Sequence, residues 1–203
     1  MGNRISLRGW DVPTDFTEKG KSLDTTARFL MESLYSFLQL LKCPTHIIAP
    51  AFTSKIFRLR IEKKHLFDMI FDGNYDWKSE EILAGKFPLV ARAGGYEACI
   101  VNFNRDISSG DIRRAIKSMD SKNPWSPGAI EHLCAFGAKF PSKKRKYSII
   151  ALGSIVGILE RYVPSLSITD GQRRLDISLS YFDWFPDCHF LIVRKLPELK
   201  LLS

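Results

Sequence analysis

Metal or nucleophile chemistry in this chain would have to be built on four histidines (His46, His65, His132, His189) and four cysteines (Cys43, Cys99, Cys134, Cys188). A zinc site needs three or four ligands that converge. Cys188 and His189 are adjacent, and neighbours on one element point apart. His132 and Cys134 are two apart and would share a strand face, but two unlinked pairs make no ligand set. Gly153-Ser154-Ile155-Val156-Gly157 lacks the G-x-S-x-G order of a nucleophile elbow. Cys43 and His46 flank Pro44 and read as a helix end. Neither a Walker loop nor G-x-G-x-x-G is present, and Gly94-Gly95 reads as a hairpin turn. Glu62-Lys63-Lys64 and Glu198-Leu199-Lys200 offer pieces of a DNA-cleaving carboxylate cluster without the upstream aspartate. Glu80-Glu81 reads as a solvated face. The expectation is a binding protein that is not an enzyme, with no catalytic residues, no metal site and no cofactor.

Composition allows such a protein a full core. Hydrophobic residues make up 45% of the 203 residues and aromatics 12%, enough for a domain that needs no disulfide or metal. With no C-x-x-C pair, the thiols read as reduced, which suits a cytoplasmic protein. No apolar run reaches the roughly 18 residues of a membrane span, and Trp10-Asp11-Val12-Pro13 interrupts any signal-peptide pattern. Met1-Gly2-Asn3-Arg4-Ile5-Ser6 fits the short N-myristoylation pattern, which chance supplies often. The formal net charge of +8 keeps a nucleic-acid-binding module as the alternative reading. Its dense run, Lys143-Lys144-Arg145-Lys146, reads first as a solvated loop, because the aromatics that nucleic-acid modules interleave with basic residues lie elsewhere.

The elements that must present any surface follow from periodicity. Leu23, Ala27, Leu30, Leu34, Phe37, Leu38 and Leu41 predict an amphipathic helix over 22–42, stopped by Pro44. Leu66, Met69, Ile70 and Phe71 predict a second helix ending at Asp72-Gly73-Asn74. Residues 87–93 and 96–103 read as two strands of a hairpin turning at Gly94-Gly95, with Ala98, Ile100 and Asn102 on one face and Cys99, Val101 and Phe103 on the other. A helix over 109–119 buries Ile112, Ala115, Ile116 and Met119. A short helix over 129–136, a strand over 148–152 and a strand over 174–180 follow. Residues 157–162 and the last apolar run, 190–193, fit strand or helix equally by period. This order predicts an α+β fold, one domain over 1–203 with an antiparallel sheet packed against helices, and residues 1–20 as a loosely ordered arm.

Trp77, Trp125 and Trp184 each sit in a polar, turn-rich context. A buried tryptophan that anchors a loop is the plain reading. The functional one is an aromatic anchor in a protein–protein interface. Two segments combine aromatics with acids: Asp72, Tyr75, Asp76, Trp77 and Glu80 in the first, Asp183, Trp184 and Asp187 in the second. These eight are the candidate partner-binding residues.

Several stretches in order resemble a family. The helix with Thr25-Thr26-Ala27-Arg28-Phe29-Leu30, the run Ala93-Gly94-Gly95-Tyr96, the turn Trp125-Ser126-Pro127, the segment Val156-Gly157-Ile158-Leu159-Glu160-Arg161-Tyr162 and the ending Phe182-Asp183-Trp184-Phe185-Pro186-Asp187-Cys188-His189 are similar to segments of the bacterial immunity protein 52 family of polymorphic-toxin systems. Ile158 stands where the family usually has an aromatic. The resemblance implies a cytoplasmic inhibitor of a cognate toxin, a nuclease of the restriction-endonuclease type, acting without catalysis or cofactor. It also implies a helix after Pro186, in place of a strand. Such an inhibitor is expected to present acids, which the local cluster Asp68, Asp72, Asp76, Glu80 and Glu81 supplies despite the positive total.

Overall fold

Tyr96 to Phe103 alternate between two sets of partners, and the whole sheet is organised around them. In the computed structural model, which describes residues 4–7, 10–13, 48–142, 146–157, 162–180 and 183–197, strand β6 (Gly94–Asn102) turns Tyr96, Ala98 and Ile100 into one buried cluster and Cys99 and Val101, with Phe103 beyond them, into another. A strand covered on both faces is buried at almost every position, and β6 is.

The chain divides into two compact units, Met1–His46 and Ile47–Ser203. In the first, β1 (Arg4–Leu7) and β2 (Trp10–Pro13) pair antiparallel, Arg4 opposite Pro13 and Leu7 opposite Trp10. The predicted helix over 22–42 lies outside the described residues.

The second unit is α+β. In chain order it comprises β3 (Phe52–Thr53), β4 (Phe57–Ile61), α1 (Leu66–Asp72), β5 (Trp77–Lys78), α2 (Glu80–Leu83), β6, α3 (Ser109–Ser118), β7 (Ser126–Pro127), α4 (Ile130–Lys139), β8 (Ile149–Ile150), β9 (Tyr162–Thr169), β10 (Gln172–Leu179) and β11 (His189–Lys195). The sheet runs β3-β6-β11-β8-β9-β10-β5, with β4 also on β6 and β7 on β11. Among the described strands, β11–β8 and β10–β5 pair in parallel and the rest antiparallel. Helices α1, α2 and α4 contribute to the cluster on one face, while α3 contributes to the other.

Two expectations are corrected. Residues 87–93 do not form a hairpin strand with β6. Gly94 and Gly95 lie inside a ladder, opposite Ile61 and Arg60 of β4. The amides of Val90 and Ala91 are instead taken by the carboxylate of Glu131, so that segment needs no strand partner. The last apolar run is a strand, contrary to the helix implied by the resemblance. β11 sits between β6 and β8, and Phe190 to Val193 are all buried because both faces are covered. Burial on both sides erases the alternation that would have marked it as a strand.

The helix ends are built locally. Ser108 caps α3: its hydroxyl accepts from the Asp111 amide at 3.1 Å and donates to the Asp111 carboxylate at 2.8 Å. At α4 the Ile130 amide donates to Ser154 Oγ at 2.8 Å and the Ala129 amide to His132 Nδ1 at 3.1 Å. Ser154 therefore caps a helix, and Gly153 beside it passes close to another backbone. A Cβ at Gly153 would lie 2.6 Å from the Pro127 carbonyl oxygen and 2.8 Å from that of Gly128. Neither oxygen belongs to a flexible side chain, so Gly153→Ala is expected to cost about 2 kcal/mol, read as a lowered denaturation midpoint.

Candidate functional site

Helix α1 carries two apolar stripes on seven residues. Leu66 and Ile70 enter the core. Phe67 and Phe71, four residues apart and about 100° further round the helix, stay in solvent with 65% and 77% of their surface exposed. Asp68 and Asp72 follow at the next angle and are exposed too. Beyond the helix come Trp77, 37% exposed, and Glu80, also exposed. Residues 66–83 hold five acids (Asp68, Asp72, Asp76, Glu80, Glu81) against one lysine, Lys78. On a chain of net +8 this is a local acidic surface set with aromatics.

Not every member of the first candidate segment faces out. Tyr75 is buried, 3% exposed, and its hydroxyl donates to the Cys134 carbonyl at 3.3 Å. Asp76 accepts the Arg173 amide at 2.7 Å and so holds β5 to β10. Asp72 pairs with Lys64 at 2.9 Å, and Lys64 also reaches Glu62 at 3.0 Å. The hydrogen bond that Lys64 donates to Asp72, then that to Glu62, pushes its pKa up. Trp77 lies under the Arg174 guanidinium, 4.3 Å from ring centroid to carbon, which orients its ring. Phe67, Asp68, Phe71, Trp77 and Glu80 remain at the surface, Trp77 with one ring face covered by Arg174.

The second candidate segment is placed elsewhere. Trp184 is buried, 6% exposed, with its indole N–H donating to Ser109 Oγ at 2.8 Å and its backbone bridged to Ile107. It packs in the cluster containing α3, whereas Tyr75 packs in the cluster on the other face of the sheet. β5 also stands four strand positions from β11, on the order of 20 Å. Asp183 is half-buried and Asp187 exposed; the Asp187 carbonyl meets His189 Nδ1 at 2.8 Å. Trp125 is likewise an anchor, held under Arg194 at 4.6 Å, with Arg194 paired to Glu97 and Asp120. The two aromatic–acid loops are not joined into one site.

No known protein family, curated protein or solved structure matches this chain. The chemistry of its own side chains has to carry the reading.

Burial favours the neutral forms of the described thiols and of the buried histidine. Burial pushes the thiols of Cys99 and Cys188 up, and that of Cys134 up to about 12, with the nearby Glu131 charge adding to the last. Burial lowers His132 to about 4, and its Nδ1 is spent accepting the Ala129 amide. Among the described residues no group of three His, Cys, Asp or Glu gathers as a metal site, and no helix is long and apolar enough to cross a membrane. Residues 143–145 of the basic run lie outside the described residues.

Periodicity does not mark Phe67 and Phe71 as surface residues, because it groups Phe71 with the core stripe and Phe67 with none. The signal was available: Leu66, Met69 and Ile70 already complete one face of a seven-residue helix. Since both rings stand in solvent, F67S/F71S is expected to change stability by no more than about 0.5 kcal/mol per site, measured by chemical denaturation.

Proposed function

We propose that this protein is a toxin-neutralising binder, which docks the face formed by Phe67, Asp68, Phe71, Trp77 and Glu80 onto a basic surface of a cognate bacterial toxin. The observation that carries the reading is the pair of exposed phenylalanines on α1, flanked by carboxylates and without a ring contact among the described residues. Large exposed aromatics beside charge are the composition of an interface core and its rim. The fit to a nuclease is electrostatic. A groove that binds nucleic acid is positively charged, and an acidic patch steers association towards it irrespective of the sign of the remaining surface. The aromatic rings then supply the buried contact area that slows dissociation. The resemblance to immunity proteins suggests the partner's class, a nuclease toxin of restriction-endonuclease type. No cofactor or catalysis is asked of the binder.

The test is co-expression with a candidate nuclease toxin, sought first among the genes beside this one. Growth rescue, together with a one-to-one complex that survives size exclusion, is the expected outcome. Failure of both abandons the toxin reading.

A further inference from the structure

Within its own fold the chain shows how it holds a guanidinium group. Arg194 lies over the Trp125 ring at 4.6 Å, while its Nε donates to Glu97 at 2.8 Å and its Nη1 to Asp120 at 3.0 Å. The ring takes the flat face of the cation and the carboxylates take its edge, a division that suits a planar guanidinium. Arg174 over Trp77 at 4.3 Å and Arg173 over Tyr75 at 5.2 Å repeat the stacking half. The described lysines that approach a ring stay further off, Lys55 over Phe57 and Lys139 over Phe140, both at 5.9 Å. That is the outer limit of about 6 Å for such contacts. Among the described residues, the cations placed closely on rings are arginines.

The outer arc of α1 presents the same components. Successive residues step round a helix, so Phe67, Phe71, Asp68 and Asp72 follow one another over an arc of about 140°, away from the buried Leu66 and Ile70. Asp68 and Phe71 are three residues apart, and such pairs are neighbours with Cβ atoms about 5–6 Å apart. Asp72 is held by Lys64, whereas Asp68 makes no ion pair among the described residues. Water satisfies an exposed carboxylate. The two rings differ, because covering them removes apolar surface from water, and they stand 65% and 77% exposed. A guanidinium is flat and weakly hydrated, so it covers a ring while still reaching the acid beside it. An ammonium group is compact and strongly hydrated, and gives up more on leaving water.

We infer that the outer face of α1 recognises arginine: a guanidinium of the basic partner stacks on Phe67 or Phe71 and pairs with Asp68, and a lysine in its place binds less well. The occupant is an arginine-bearing protein surface, and the five acids against one lysine over residues 66–83 supply its charge complement. This deepens the partner-binding reading and rests on it.

The experiment is calorimetric titration of the full chain, at one low salt concentration, with a blocked peptide of four arginines spaced by glycines and with its lysine counterpart. The two peptides carry equal charge, so steering is the same for both. The arginine peptide is expected to bind about fivefold more tightly or better. F67L/F71L keeps the charge and apolar bulk and removes the rings, and is expected to bring the two peptides to equal affinity. Asp68→Asn keeps the rings and is expected to weaken the arginine peptide about threefold. Equal affinity of the two peptides for the wild-type chain, a preference that survives F67L/F71L, an arginine affinity unchanged by Asp68→Asn, or no binding of either peptide at millimolar concentrations would each overturn the inference. Its failure is distinct from that of the partner-binding reading: a toxin held by a face that shows no arginine preference leaves the docking surface standing and removes only the group it selects.

Discussion

Replacing Arg173 with methionine is expected to destabilise the protein by about 3–5 kcal/mol, the largest effect of any single polar substitution considered for this fold. The side chain is buried, and its guanidinium ties three segments together. Nη1 donates to the carbonyls of Gly73 at 2.8 Å and Asn74 at 3.1 Å, and Nη2 to that of Gly137 at 2.6 Å. The guanidinium also lies over the Tyr75 ring at 5.2 Å. Gly137 is glycine for the same reason the knot is tight: a Cβ there would come 2.2 Å from Tyr75 Oη. Methionine retains the apolar stem and removes only the donors, so three carbonyls lose their partner. At about 1–3 kcal/mol for each group left unsatisfied, even partial hydration leaves a loss of several kcal/mol, a large share of the 5–15 kcal/mol typical of a domain. Urea denaturation should show a lower midpoint with an unchanged slope. Amide exchange should rise first across 73–78, where Asp76 and β5 depend on β10. A loss below about 1 kcal/mol would mean that water replaces the guanidinium.

Acidification is the second large effect, and its sign follows from His132. Burial holds the folded-state pKa at about 4, against 6.5 for the free side chain. Between those values the unfolded chain carries the proton and the folded one does not. The unfolded state therefore binds more protons, and stability rises with pH across this window. The contribution is fully present above pH 6.5 and is lost as pH falls to 4, about 3 kcal/mol in all. The geometry agrees. Nδ1 accepts the Ala129 amide, the ring packs edge-on to Tyr96 at 4.5 Å, and Nε2 has no partner. A protonated ring would surrender the cap and place a charge in the core. His132→Gln, which does not titrate, should flatten this part of the stability profile, although carboxylates still contribute below pH 5. An identical slope in the two proteins between pH 6.5 and 5 would refute the assignment.

Much of this fold is legible in local pattern, and the exceptions share a cause. The helices over 66–72 and 109–118 follow from apolar spacing and their stop signals, and β10 from its alternation. The two faces of β6 were readable as well, because each alternate set belongs to a different cluster. β11 was ambiguous because a strand buried on both faces has no polar beat. The false hairpin at Gly94-Gly95 arose from assigning a local role to glycines whose partners, Ile61 and Arg60, lie more than thirty residues earlier. The site divided in the same way. Trp77 and Glu80 reach the surface as a loop rich in aromatics and acids suggests. Tyr75 and Trp184 are anchors, because burial depends on long-range partners such as Cys134 and Ser109 that sequence spacing does not reveal. The acidic sign of the face was readable from residues 66–83 alone, while the solvent exposure of Phe67 and Phe71 required the helix to be seated on its sheet.

The most direct measurement is the affinity for the cognate toxin of the wild-type chain and of F67S/F71S, determined by titration calorimetry at one salt concentration. Two aromatic anchors at an interface centre are worth about 2 kcal/mol or more each when truncated, so the double variant should bind at least about 700-fold more weakly with its fold intact. Equal affinity for the two proteins would contradict the account, because the partner would then be held by another surface.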